Sequence, residues 1–543
     1  MENDPEIVRE VENALHVDII PGTEIMAQVA GIHLVESKSD GVLVPQPSNN
    51  PEDPLNWSPL WKGIVMSSMI MTSFLQAFGP LAIAPQVPQY MAEWNRSPPE
   101  ILRFIGISIL VLGFSNFLWV PLSTTYGRRW VLIASAAVSL GSCIWRATAT
   151  SYSSFLGACI LHGVGAGTAE TLPPVLISDI KFLHERGFWM NVYTWSYFGS
   201  LMVGPIVAGA MTDRYGWRSF WWLNVVLYGV MIVLQLFLHP ETHYDRRHLV
   251  GAGPGSDDRG LIPSDSSNAD AEKPTVATSE NPPHALEHVD EYFGKGTPIR
   301  SQFVSVIRRT SKKESLLSLW IPIKLFSFPI VEWTSFAFSW SASGFLMVNL
   351  TQSQAFAAPP YNMSSTAVGL TNFAPLVGAT IGMLTAGPLS DWVSMRATRK
   401  NNGIREPEMR LPSLIPFVLC TIVGTLVTAY GYQNAWKWEI IVIVGYTLLG
   451  LQVSAISAIA MTYSIDSYKP VAGEILVSAT VNKNLWGYGV AEFLTHWIIS
   501  SGYVAPMTTI MGTSVVIYLF AIPLYIWGKN LRRITKDSNI HSM

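Results

Sequence analysis

WSYFGSLMVGPIVAGAM, residues 195–211, is an uncharged segment of helix length in which Ser200, Gly204 and Ala208 recur every four residues around a Gly204-Pro205 pair, with Gly209 next in line. Small residues at that spacing cut a shallow groove into one helix face. In lipid, burying a leucine against another leucine gains little over burying it against acyl chains, so such a groove is what lets two helices approach closely. Pro205 removes a backbone donor and bends the helix. A bent, grooved, uncharged helix belongs in a membrane bundle that moves.

Composition agrees with that reading. Of 543 residues, 49% are hydrophobic and 13% charged, with a mean hydropathy of +0.29; soluble domains carry about 25% charged residues. Apolar runs of roughly 20 residues, the length that crosses about 30 Å of hydrocarbon, recur along the chain. They fall at 61–84, 101–123, 130–149, 155–180, 188–211 and 217–238, and again at 318–344, 367–389, 414–432, 438–465, 474–499 and 504–527. The expected fold is therefore an all-α polytopic membrane protein of twelve transmembrane helices in two six-helix halves, residues 61–239 and 317–528. Residues 1–60 are a polar N-terminal segment, 240–316 a polar linker and 529–543 a tail. The linker composition, as in SDSSNADAEKPTVATSENPP, buries too little apolar surface to order itself. Its end, IRSQFVSVIRRTSKK from Ile299 to Lys313, suits a short helix at the membrane surface.

Lys and Arg are concentrated in alternate short loops, which places both termini in the cytoplasm. The sequons at Asn95, Asn349 and Asn362 then fall in outside loops and are glycosylation candidates. Cys143, Cys159 and Cys420 all lie inside predicted spans, and no disulfide is expected. A net charge of -3 gives no basic face for nucleic acid. With no phosphate-binding GxxxxGK[ST] loop, no metal cluster and no nucleophile constellation, neither a cofactor nor enzyme chemistry is called for.

An internal duplication shows after the second span of each half, where VPLSTTYGRRWVL and GPLSDWVSMRATRK both place Pro-Leu-Ser before a basic turn. With NPEDPLNWS at 50–58, the Gly204-Pro205 pair, ISDIKFLHERG at 177–187, PET at 240–242 and NNGIREPEMRLP at 401–412, the chain resembles a major facilitator superfamily transporter. It is most similar to the fungal drug:proton antiporter group of twelve-span proteins. The resemblance implies parallel repeats, a central cavity lined by spans one, four, seven and ten, and gating loops at Gly127, Arg128 and Arg129 and at Gly387 and Asp391. It also implies that spans five and eight meet, so that Ser200, Gly204 and Ala208 face the stripe Ala374, Gly378, Gly382 and Ala386. Two departures stand out: Thr124 replaces the carboxylate of the first gating loop, and Cys159 stands where the family pattern has an arginine.

Coupling to protons then falls to the few ionisable groups near mid-depth, which are costly there and functional by default. These are Glu170, Glu332 and Lys483. A desolvated carboxylate can load and release a proton as the cavity opens to each side; alternatively Glu170 caps a helix broken at Pro173-Pro174 or binds a buried arginine. Lys483 either contacts substrate or pairs with Glu332 or Asp466. Trp333 and Trp340 suit cavity walls for an aromatic or cationic solute, whereas Trp217, Trp221, Trp222, Trp436, Trp438 and Trp497 suit interfacial belts. Gln76, Gln452 and Tyr463 are further cavity candidates, with interhelical hydrogen bonding as the competing use, and His162 reads as a packing residue. The expected activity is export of small organic molecules by proton antiport at the plasma membrane, by a protein functional as a monomer. Proton-coupled uptake of an amine and solute sensing on a carrier fold are the alternatives.

Overall fold

The structure is a computed structural model, and it describes residues 24–25, 52–244, 294–304, 320–401, 404–468 and 471–535. Most of the N-terminal segment, the body of the linker with the basic part of its expected surface helix, and the last residues of the tail lie outside the described residues.

The first half contains α1 (Pro59–Phe78), a 3-10 segment (Leu81–Gln86) leading into α2 (Val87–Trp94), and then α3 (Pro98–Tyr126) and α4 (Arg128–Thr148). It continues with α5 (Tyr152–Ala166), α6 (Thr168–Ile180), α7 (Leu183–Tyr215) and α8 (Trp217–Leu238). The second half contains α9 (Pro329–Phe356), α10 (Ser365–Leu370), α11 (Phe373–Lys400), α12 (Ile415–Gln433), α13 (Thr447–Ser467), α14 (Ala472–Ser501), α15 (Val504–Leu519) and α16 (Ala521–Thr535). Local chemistry sets many of the boundaries. Ser58 accepts from Trp61 N with Pro59 as the first helical residue. Ser97 and Glu100 form a capping box at the start of α3. Gly127 and Gly216, at φ +102° and +80°, join consecutive helices in a conformation that a Cβ disfavours.

Eight helical runs are long and apolar enough to cross a membrane. The fourth, fifth, seventh and eleventh expected spans, α5–α6, α7, α9 and α14, fall outside that set among the described residues, and α6, α9 and α14 carry Glu170, Glu332 and Lys483. A helix whose polar side faces other helices can be less apolar than one facing lipid. The halves meet where α3, α6 and α7 pack on α14, α10 and α11. At one end this interface is stitched shut. Asp213 Oδ2 accepts from Thr366 N at 2.7 Å, Arg103 pairs with Glu492 at 2.6 Å, and Ser353 Oγ donates to the Ala84 carbonyl. At the other end, beside the basic loops, a cavity of about 830 Å3 separates the halves. There β1 (Glu24–Ile25) pairs antiparallel with β2 (Ile404–Arg405).

Four expectations need correction. The fourth span breaks at Gly167, between α5 and α6, while Pro173 and Pro174 lie inside α6. The prolines do free two carbonyls, and Ser73 and Tyr193 fill them: both donate to Ala169 O, at 2.8 and 3.0 Å, and Tyr193 also to Glu170 O at 3.2 Å. The main helix of the seventh span is α9, which starts at Pro329 and runs to Phe356, so Glu332 sits in its first turn rather than at mid-depth. Asn349 is consequently a fully buried helix residue, closed to glycosylation, whereas Asn95 and Asn362 are exposed in turns. The serines and amides of α9, directed inward, had ended the apolar run too early.

The two small-residue stripes do not face each other. A Cβ on Gly204 would stand 2.2 Å from the Phe78 carbonyl, so the groove of α7 receives the end of α1; Gly378 and Gly382 receive Thr447 and Leu451 of α13. Spans five and eight do touch, through Gly209 against Ser365 and Gly369 and through a 3.0 Å hydrogen bond from Trp195 Nε1 to Thr380 Oγ1. Arg146 is fully buried in the last turn of α4. Its guanidinium lies 4.5 Å from the Trp221 ring centroid and reaches the Cys159 thiol. The cation absent from position 159 arrives from the neighbouring helix.

Candidate functional site

Glu170, 5% exposed, and Lys483, 7% exposed, form an ion pair that joins the halves. The Lys483 ammonium and the Tyr197 hydroxyl both donate to Glu170 Oε1, and Asn484 Nδ2 donates to Oε2 at 3.1 Å. Lys483 Nζ also donates to Tyr197 Oη at 3.3 Å and lies 5.1 and 5.4 Å from the ring centroids of Tyr197 and Phe338. Behind the carboxylate, Thr171 Oγ1 donates to Asn116 Oδ1 at 2.7 Å. The sequence suggested Glu332 or Asp466 as partner for Lys483, because those lie in the same half. The pairing instead crosses between α6 and α14, since the chain order of the spans says nothing about which helices meet at the interface. Asp466 bonds to Arg410.

Most of the polar cavity candidates turn out to be fasteners. Gln76 Nε2 donates to Ser135 Oγ and Gly165 O at 3.1 and 3.2 Å, and its oxygen accepts from Thr168. Gln452 does the same work in the second half, with Ser341 and Thr421. Trp333 donates to Ile517 O at 2.8 Å and stacks edge-on against Tyr463 inside the core. Trp340 packs on Trp486. His162 bridges Ser142 Oγ and the Gln76 carbonyl, which Pro80 leaves without its helical donor. None of these side chains lines the cavity between the halves.

Both loops named from the resemblance are tied by carboxylates. Around Gly127, Glu241 accepts from Arg128 N and Arg129 N at 2.9 and 3.2 Å, and Asp179 pairs with the Arg128 side chain at 3.3 Å. The acid lost at Thr124 is thus supplied by the PET segment and the end of α6. Arg129 is held by three carbonyls, of Leu236, His239 and Phe303. Residues 294–304 therefore dock on the first half: Gly296 pairs with Trp57, and Gln302 Nε2 donates to Glu52 O. In the second half Arg410 joins Asp391 at 2.8 Å to Asp466 at 2.9 Å, and Arg532 meets Glu406 and Glu408 at 2.6 and 2.9 Å. Gly387 lines the cavity beside Asp391. Burial pushes the Glu406 carboxyl up, but Arg532 and Lys529 outweigh it and hold the group below its ordinary value. Burial, with Arg129 nearby, drives His239 down to about 3.

Tyr197, Asn484 and Tyr193 were not singled out from the sequence. Tyr197 lies inside the grooved segment, and Asn482 and Asn484 flank Lys483 in the sequence, but only the fold shows which of these amides meets Glu170.

The family model described as Major Facilitator Superfamily matches residues 66–487. An uncharacterised MFS-type transporter of Schizosaccharomyces pombe is 26% identical, with 96% of this chain and 94% of that protein covered. Protein HOL1 of Saccharomyces cerevisiae is 27% identical, with 98% of each covered, and efflux pump radE of Floropilus chiversii is 22% identical, with 94% and 89% covered. In fold the chain is similar to the xylose transporter XylE of E. coli in a partially occluded inward open conformation, at a TM-score of 0.56 and 14% identity over 86% of this chain and 98% of that one. Taken with the helical bundle and the paired loops, these matches make the chain a member of the Major Facilitator Superfamily, a membrane transporter and not an enzyme.

Proposed function

We propose that this transporter exports small organic molecules, such as a drug, toxin or secondary metabolite, by proton antiport across the plasma membrane. In this reading it has twelve spans, both termini are cytoplasmic, and a single copy suffices. The observation that carries it is the buried Glu170–Lys483 pair between the halves. A proton from outside neutralises the Glu170 carboxylate, Lys483 is released, and whatever the carboxylate bound is expelled. Rocking of the halves then exposes the site to the cytoplasm, the proton leaves, and the ion pair or a fresh substrate takes its place. Each proton moving down 100 mV supplies about 2.3 kcal/mol. The cavity of about 830 Å3 beside the basic loops is of a size for small organic ligands.

One observation favours uptake of an amine as the second reading: the site already holds an ammonium, on a carboxylate and beside two aromatic rings. Purified protein in proteoliposomes under an imposed pH gradient tests both. Solute moving against proton flow, lost in Glu170→Gln, supports export; accumulation in the direction of proton flow replaces it with symport. Absence of any solute or proton movement leaves the sensor reading.

A further inference from the structure

Two spaces lie along the interface between the halves. The larger, about 830 Å3, is walled by Met190, Thr194 and Trp195 of α7 and by Ala379 and Met383 of α11. The smaller, about 60 Å3, is walled by Tyr197, Leu201, Ser343, Lys483 and Asn484. One side chain, Phe198, belongs to both walls. It is buried, and its ring packs edge-on against Tyr197, with centroids 5.4 Å apart and planes at 82°. Tyr197 in turn donates to Glu170.

The smaller space cannot hold an organic substrate as it stands, because drug-sized ligands occupy roughly 300–1,000 Å3. Joined to the larger one it can. A phenyl side chain turns on two torsions and has no hydrogen bond to give up by turning, and Phe198 is the residue the two walls share. The wall of the small space also carries Lys483 and Asn484, which are held by the carboxylate.

We propose that Phe198 is the gate between the inner cavity and the ion-pair pocket, and that its bulk sets which molecules reach Glu170. The proposal deepens the transport reading and rests on it for the destination of the substrate. With the ring in place the ion pair is sealed from the inner cavity. With the ring swung aside, a slim molecule bearing a basic nitrogen reaches the carboxylate, while branched or bulky ones are turned back.

Thiol labelling tests the gate without knowing the substrate. In full-length protein with Cys143, Cys159 and Cys420 replaced by alanine, Ser343→Cys reports on the pocket and Thr194→Cys on the inner cavity. The probe is a methanethiosulfonate reagent carrying trimethylammonium. Phe198→Ala is expected to speed labelling of the Ser343→Cys chain by at least about tenfold, as for removal of a local opening barrier, and to leave the Thr194→Cys chain unchanged. Phe198→Leu is expected to fall between, and Phe198→Trp to be no faster than the phenylalanine. Equal pocket labelling with phenylalanine and alanine overturns the gate, as does acceleration of both reporters together, which would mean general loosening. If the alanine variant speeds labelling while Glu170→Gln leaves pH-driven flux intact, the gate stands and the coupling role of Glu170 falls.

Discussion

At the scale of single residues, Glu170 carries the sharpest consequence. Glu170→Gln keeps the size of the side chain and removes the charge that holds Lys483. Flux driven by a pH gradient is expected to fall at least about a hundredfold, the lower end of what a positioned proton-transfer group contributes; a proteoliposome assay checks it. His239 gives a second expectation. Its ring is neutral when buried, with a folded value of about 3 against about 6.5 when unfolded. Between those values the unfolded chain binds more protons, so this residue's contribution is intact above about pH 6.5 and is lost as the pH falls toward 3. Thermal melts at pH 7 and pH 4.5 are expected to show a drop that is smaller in His239→Gln. Of these two residues the sequence made only Glu170 legible, because a carboxylate inside an apolar run is conspicuous, whereas burial of a histidine after a helix end depends on the segment that folds over it.

At the scale of elements, close approach of helices is the governing fact. The four-residue spacing of Ser200, Gly204 and Ala208 puts small residues on one helix face, but spacing names no partner. The partner is α1, whose Phe78 carbonyl would lie 2.2 Å from a Cβ at position 204. Gly204→Ala is therefore expected to cost about 1–3 kcal/mol or more through overpacking. Gly229→Ala, with nothing within 4 Å of the added carbon, is expected to be neutral or slightly stabilising. Melting temperatures of the two purified variants check the contrast. The second-half loop offers a matching test. Arg532 is fully buried between Glu406 and Glu408, so Arg532→Leu strands the Glu408 carboxylate and leaves Glu406 with Lys529 alone, at an expected cost of about 3–5 kcal/mol. The same loop weakens in acid. Because the Glu406 value is lowered in the folded state, its contribution is present above the ordinary carboxylate value of about 4.3 and is lost as the pH falls through the folded one.

At the scale of the whole molecule, a buried ion pair, Glu170 with Lys483, links the two halves. Lys483→Ala leaves the Glu170 carboxylate buried without its cation, at an expected cost of about 3–5 kcal/mol. The double variant Glu170→Gln with Lys483→Met is expected to recover most of that stability in thermal melts and none of the pH-driven flux. Recovery of flux in the double variant would show that the pair is only a structural tie. By itself, the sequence determined the hydrophobic segments, the two halves, the basic loops and the scarcity of ionisable groups within them, because lipid imposes length and polarity locally on each segment. It could not determine that Lys483 meets Glu170, that Arg146 reaches Cys159, that Gln76 and Gln452 are fasteners, or that Phe198 lines two cavities. Those depend on which helix faces touch across hundreds of residues of chain, and only the tertiary packing decides that.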